Sequence, residues 1–182
     1  LLNFCSNELS SLYFDIRKDT LYCDKNNSIK RRSARTLLDI LFNSLIRWFA
    51  PSLVFTCEEA WKSRGNKSSI HLEEFINIDS NFKNIQLFKK WEIVKDIRKV
   101  ITGALEKKRG DKIIGSSLEA SIDIYVSSKI FTQLKNIDFA EIAITSSASI
   151  IESSNFTTGF SIDEVKDVSI DVNKASGNKC NR

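Results

Sequence analysis

The chain has no methionine, one proline, one histidine and six glycines in 182 residues, and these shortages exclude several kinds of protein. Its apolar runs fall well short of the roughly 18–20 residues a helix needs to cross a bilayer. The N-terminal stretch lacks the charged, apolar and small-residue layout of a secretory leader. The few glycines form none of the patterns G-x-x-x-x-G-K-[ST], G-x-G-x-x-G and G-x-S-x-G, so the familiar phosphate loop, dinucleotide fingerprint and nucleophile elbow are missing. The one histidine, His71, stands in a polar connector, a poor place for a general base or a metal ligand. Glu58/Glu59 and Glu73/Glu74 are adjacent in sequence, and helix neighbours point in different directions, so neither pair makes an acid/base couple. Cys5, Cys23, Cys57 and Cys180 show no paired spacing, which suits a reduced, cytoplasmic setting. The first three read as small core or surface residues. There is no internal repeat or low-complexity tract, and no catalytic constellation.

What remains is a chain with 42% apolar and 27% charged residues, enough for one or two packed domains. The net charge of +4 is unevenly placed, +7 over 1–110 and −3 over 111–182. A basic front half suits a polyanionic partner, although solvated helical surfaces are often mildly basic too.

The front reads as helices. Leu2, Cys5, Leu9, Leu12, Tyr13 and Ile16 recur at helical spacing. Ala34, Leu37, Leu38, Leu41, Leu45, Trp48 and Phe49 form a continuous stripe, with Asp39, Asn43 and Arg47 opposite. Asn26, Asn27 or Ser28 supplies the N-cap. Pro51 calls for a break at Ala50, and Thr56 with Glu59 has the spacing of a capping box restarting a helix that carries Trp61. His71 to Phe75 reads as an irregular connector. A long helix follows from about 84 to 109, with Gly103 inside it at a cost of about 1 kcal/mol relative to alanine. Trp48, Trp61 and Trp91 lie on apolar stripes, which favours core packing over base stacking.

After Gly110 the period changes. Ala120–Val126 alternates as a half-buried strand does, Ile130, Phe131 and Leu134 suggest a short helix, and Ile142–Ile151 and Val165–Val172 suggest two more strands. The fold class is mainly α, an antiparallel helical bundle over 1–110 followed by a small α+β junction domain over 111–176.

Two basic clusters stand out. Lys30-Arg31-Arg32 with Arg35 opens the second helix, and Lys107-Lys108-Arg109 with Lys112 closes the long one. Cations at a helix C-terminus complement its dipole, so the second cluster has a structural explanation; at an N-terminus they oppose it, so the first calls for another reason, such as a bound anion.

Several segments resemble the anticodon-binding region of bacterial isoleucyl-tRNA synthetases. They are CSNELSSLYFDIRKD from Cys5, RRSARTLLDIL from Arg31, WFAPSLVFT leading to Glu58-Glu59-Ala60-Trp61, SIHLEEF from Ser69, and ALEKKRGDKIIGSSLEASIDIYV from Ala104, the most specific. The resemblance implies the tRNA-holding part of a ligase that joins isoleucine to its tRNA using ATP, with the catalytic and editing parts upstream and the chain not catalytic alone. The absence of Met and the start at Leu1 fit a piece of a larger protein. The implied partner is isoleucine-accepting tRNA, held by a cytoplasmic monomer with no membrane. Charge and helix placement make Arg31, Arg32, Arg35, Lys107, Lys108, Arg109 and Lys112 the tRNA-facing candidates. Family members continue past Gly-x-Lys-Cys into Cys-x-x-Cys, so 177–182 resembles the start of a zinc-binding unit with Cys180 as an orphaned ligand. One thiolate does not hold a tetrahedral zinc. The expectation is no cofactor in this chain, and ATP and zinc in the whole enzyme. Two other readings remain open: the same region of a valyl or leucyl sibling, and a helical protein-interaction module with no RNA role.

Overall fold

A computed structural model describes residues 1–156 and 159–177; Cys180 and its neighbours from 178 onward lie outside the described residues. The chain divides into two compact units, Leu1–Lys83 and Asn84–Arg182. The chain is mainly helical, with one small sheet of three strands.

In the first unit a helical stretch of π type, Phe4–Phe14, runs into α1 (Asp15–Cys23). The wider winding differs from the α spacing of the sequence. It places Ser11 Oγ 2.9 Å from the carbonyl of Ser6, five residues back. Of the apolar stripe, Leu9 and Ile16 are buried. α2 (Ile29–Phe49) is capped by Ser28, whose hydroxyl accepts from the amide of Arg31 and donates to Asp24 Oδ2 at 3.0 Å. It ends just ahead of Pro51. α3 (Val54–Ser63) begins earlier than the Thr56–Glu59 spacing suggested, with Leu53 at the N-cap and no side-chain cap. Thr56 lies within the first turn, so the capping box does not form.

The core here is Ile46, Ala50, Cys57, Trp61 and Ile70, with Phe42, Phe49 and Ala60 packed against it. It draws part of the polar-looking connector inward. Ile70 is buried in a short 3₁₀ turn, Ile70–Leu72, and Trp61 Nε1 donates to the carbonyl of Ser68 at 3.1 Å. The Arg47 guanidinium lies 4.9 Å from the Trp61 ring centroid, donates to the Glu74 carbonyl at 2.7 Å and pairs with Glu73 at 3.3 Å.

Glu58 fastens the same connector by accepting from the Ile70 amide and the Ser69 hydroxyl, both at 2.9 Å. These bonds, the Ile70 amide first, hold its carboxyl below the ordinary carboxylate value. A depressed carboxyl stabilises the folded state above its unfolded pKa, about 4.3, and that contribution disappears as pH falls through the folded value. Urea midpoints of the first unit are therefore expected to drop on acidification from about pH 6 to pH 3. Glu58→Gln, which cannot titrate, is expected to lose this part of the acid sensitivity.

The second unit opens with α4 (Ile85–Gly110), capped by Asn84, whose side chain accepts from the Leu87 amide at 2.9 Å. Val94, Ile97, Val100, Ile101, Ala104 and Leu105 make its buried face. The sheet has the order β2-β1-β3, with β1 (Ala120–Val126) central, parallel to β2 (Ser147–Glu152) and antiparallel to β3 (Val168–Lys174). Ala120, Ile122, Ile124 and Val126 are fully buried on alternate positions of β1. Between β1 and β2 run α5 (Ser128–Leu134) and α6 (Phe139–Ala143), as a parallel pair requires a crossover. α4 packs on β3 and against α5 and α6. The compact units thus divide ahead of α4, whereas the change of period in the sequence falls after it; the apolar stripe of α4 serves the sheet. Ile142 belongs to α6, and β2 starts only at Ser147, because Ile144 (φ 57°) turns the chain left-handed and ends the helix. Gly103 also gains a reason. A Cβ there would stand 2.8 Å from the Phe160 ring, so the glycine trades helix propensity for a packed aromatic.

Candidate nucleic-acid interface

The two basic clusters lie in different units. On α2 the three arginines separate by position. Arg31 is half-buried, and its Nη1 donates to the Asp24 carbonyl at 2.9 Å and to Asn26 Oδ1. It therefore latches the loop that precedes its own helix, which explains a cation near an N-terminus without any RNA. Arg32 and Arg35 are exposed, and no hydrogen bond or ion pair engages either side chain among the described residues. Three positions apart, they share one helix face.

Both line an open groove of about 1020 Å³ in the first unit, floored by apolar residues such as Phe42, Leu45 and Phe49. Arg64, from the end of α3, lines it as well. Its guanidinium is 4.6 Å from the Phe42 ring centroid and pairs with Asp39 at 2.7 Å. The position of Arg64 depends on how α3 packs on α2, so no local signal in the sequence marked it. His71 has its Nε2 3.3 Å from the Val54 carbonyl and no acidic neighbour bonded to it. Among the described residues no group of three His, Cys, Asp or Glu side chains can hold a metal ion. No helix among them is long and apolar enough to cross a membrane.

In the second unit the end of α4 presents a different arrangement. Arg109 pairs with Glu106 and donates to Ser117 Oγ at 3.1 Å. Lys107 is exposed, with Nζ 6.0 Å from the Phe160 ring centroid, and Lys108 is half-buried. The helix closes in a Schellman turn: Ile113 donates to the Lys108 carbonyl and Lys112 to that of Arg109, each at 3.0 Å. That turn needs a left-handed residue, usually glycine, yet Lys112 occupies it with φ 58°. A left-handed L-residue costs roughly 1–2 kcal/mol, while glycine adds roughly 0.4–1 kcal/mol of unfolded-state entropy. Lys112→Gly is thus expected to leave the second unit as stable as before or up to about 1 kcal/mol more stable in urea titrations. If Lys112 contacts a phosphate, the same substitution lowers the salt slope of RNA binding by about 1.

Each unit therefore offers exposed cations mounted on rigid helix, the first beside an apolar groove and the second beside an aromatic ring. Such surfaces suit a polyanion whose bases are partly unstacked.

Comparison with known proteins agrees with this chemistry. The chain is 45% identical to an isoleucine–tRNA ligase of Agrobacterium fabrum over its whole length. It is 46% identical to that of Pelagibacter ubique over 99% of its length, and 43% identical to that of Bartonella henselae over its whole length. It spans 19% of the length of each of these relatives. Residues 1–124 match the family described as the anticodon-binding domain of tRNA ligase. The chain belongs to the family of tRNA-ligase anticodon-binding domains.

Proposed function

We propose that this chain is the tRNA-holding portion of an isoleucine–tRNA ligase, which attaches isoleucine to its tRNA at the expense of ATP in a part of the enzyme that these residues do not contain. The observation that carries the reading is the pair Arg32 and Arg35, exposed and without protein partners among the described residues, at a groove in the matched domain. Lys107, Lys108 and Lys112 at the end of α4 extend the cationic surface of the second unit. In the larger enzyme the helical part lies along the anticodon stem as an antiparallel bundle, with the small α+β part as a junction. Phosphate contacts supply salt-dependent affinity, and unstacked anticodon bases supply the choice of tRNA.

The rest of the reading follows from the same resemblance: a monomer, working in the cytoplasm, with isoleucine-accepting tRNA as partner. ATP and zinc belong to the whole ligase. The described residues contain no fitting metal cluster, and Cys180 alone supplies one ligand where a structural zinc takes four.

Filter retention of isoleucine-accepting tRNA and of an anticodon-altered version tests the proposal. Tighter, salt-sensitive retention of the first is the expected result. Equal, weak and salt-insensitive retention of both would overturn it.

A further inference from the structure

We infer that the groove of the first unit holds one unpaired nucleotide of an RNA, with the Arg64 guanidinium as the platform on which its base stacks and Arg32 and Arg35 as the seat of its phosphate. The three arginines line the same groove of about 1020 Å³. The inference deepens the RNA-holding reading and rests on it.

The platform is built from the core outward. Phe42 packs against the buried cluster that contains Trp61. The Arg64 guanidinium lies over the Phe42 ring, 4.6 Å from its centroid, and Asp39 Oδ1 accepts from Nη2 at 2.7 Å. The ring backs the guanidinium and the carboxylate holds one end of it, so the group is braced from two sides. The side chain nevertheless stays 45% exposed. Among the described residues its Nε and Nη1 make no hydrogen bond. Arg32, Arg35, Asp39 and Phe42 follow one another at intervals of three, four and three, so they occupy one face of α2. Along the helix axis Arg35 stands about 6 Å and Arg32 about 10 Å ahead of Asp39, which marks the place of Arg64.

Arg64 and Asp39 offset each other's charge, whereas Arg32 and Arg35 have no protein partner among the described residues. The groove thus carries two uncompensated positive charges about one helical turn from a braced, planar and weakly hydrated cation. A nucleotide matches this arrangement in order. Its phosphate takes the forked N–H donors of the arginine pair, and its base, offset from that phosphate by about one turn of the helix, lies on the open side of Arg64. An acidic peptide fits less well. Its carboxylates would seek the N–H edge of Arg64, where Asp39 already holds one end, and would leave the apolar floor uncovered. Stacking uses the π-face that every base has, so the site favours a large ring over a small one and tolerates sequence.

The test titrates the isotope-labelled 182-residue chain with AMP, UMP and ribose 5-phosphate, which share a phosphate and differ in the base or its absence. AMP is expected to move the Arg64 Nε–H resonance and the Phe42 amide saturably in the millimolar range, with UMP weaker and ribose 5-phosphate about tenfold weaker than AMP. Arg64→Lys keeps the charge and removes the planar face. It is expected to bring AMP down to the level of ribose 5-phosphate and to leave ribose 5-phosphate unchanged. Arg32→Gln/Arg35→Gln is expected to weaken both by the same factor. AMP binding no tighter than ribose 5-phosphate, shifts confined to residues away from Arg64, or an AMP advantage that survives Arg64→Lys would overturn the inference. Retention of tRNA, measured in parallel, separates the two readings. A chain that retains tRNA but shows no base-dependent shift defeats the stacking site alone and favours a protein segment on the apolar floor. Base-dependent shifts at Arg64 in a chain that retains no tRNA uphold a nucleotide site and defeat the tRNA-holding reading.

Discussion

Reversing the charge of Arg32 and Arg35 together is expected to weaken tRNA retention by at least about a hundredfold at low salt. Each arginine that neutralises a phosphate contributes about 0.9 to the slope of affinity against salt, on logarithmic scales. The double variant Arg32→Glu/Arg35→Glu should thus lose a slope of about 2, besides adding two repulsive charges. Folding should be unaffected, because both side chains are exposed and neither holds a partner among the described residues. Arg31→Ala is the contrasting control. It removes the bonds to Asp24 and Asn26 and is expected to lower stability by about 1–2 kcal/mol with little direct effect on RNA. A chain that tolerates the double reversal with its salt slope intact would move the RNA surface off α2 and favour a protein-binding role for this groove.

The second large effect is expected from Trp61→Ala. Trp61 is 6% exposed at the centre of a core with four other buried members. Truncation of a buried tryptophan costs about 3–5 kcal/mol, and here the Ser68 hydrogen bond and the Arg47 stacking go as well. A unit of this size has a total stability of roughly 4–12 kcal/mol. Denaturant unfolding should therefore become biphasic, or the first unit should be unfolded from the start, while amides of β1 and α4 stay protected. Trp48→Ala should change stability by less than about 0.5 kcal/mol, since Trp48 is 45% exposed. Equal effects of the two substitutions would contradict the packing described for the first unit.

That pair of tryptophans shows what the sequence carried and what it did not. Helical period placed Trp48 and Trp61 each on an apolar stripe, but a stripe tells which face is apolar and not whether a neighbour covers it. The strand Ala120–Val126 was legible because alternation survives whatever lies on either side. Ile142–Ile151 was not, since a short apolar run is compatible with either helix or strand, and the left-handed Ile144 that separates α6 from β2 has no sequence signature. The basic clusters were visible as charge, yet only the fold distinguishes Arg31, tied to its own loop, from Arg32 beside it. Arg47 read only as part of the polar side of its helix, and Phe160 went unnoticed, because their partners, Trp61 with Glu73 and Gly103 with Ile170, come from distant parts of the chain. The family resemblance located the region, and the three-dimensional arrangement decided which of its cations are available.

The strand order of the small sheet bears on how this protein emerges from the ribosome. β1 is the middle strand, but its antiparallel neighbour β3 begins only at Val168. Until that segment is synthesised, the backbone amides and carbonyls along one side of β1 face water or a stray chain. The helical first unit can consolidate meanwhile from local contacts, which form quickly. The nascent protein is thus most vulnerable to aggregation in the interval between completing β2 and completing β3, and a chaperone acting on it would find its substrate there.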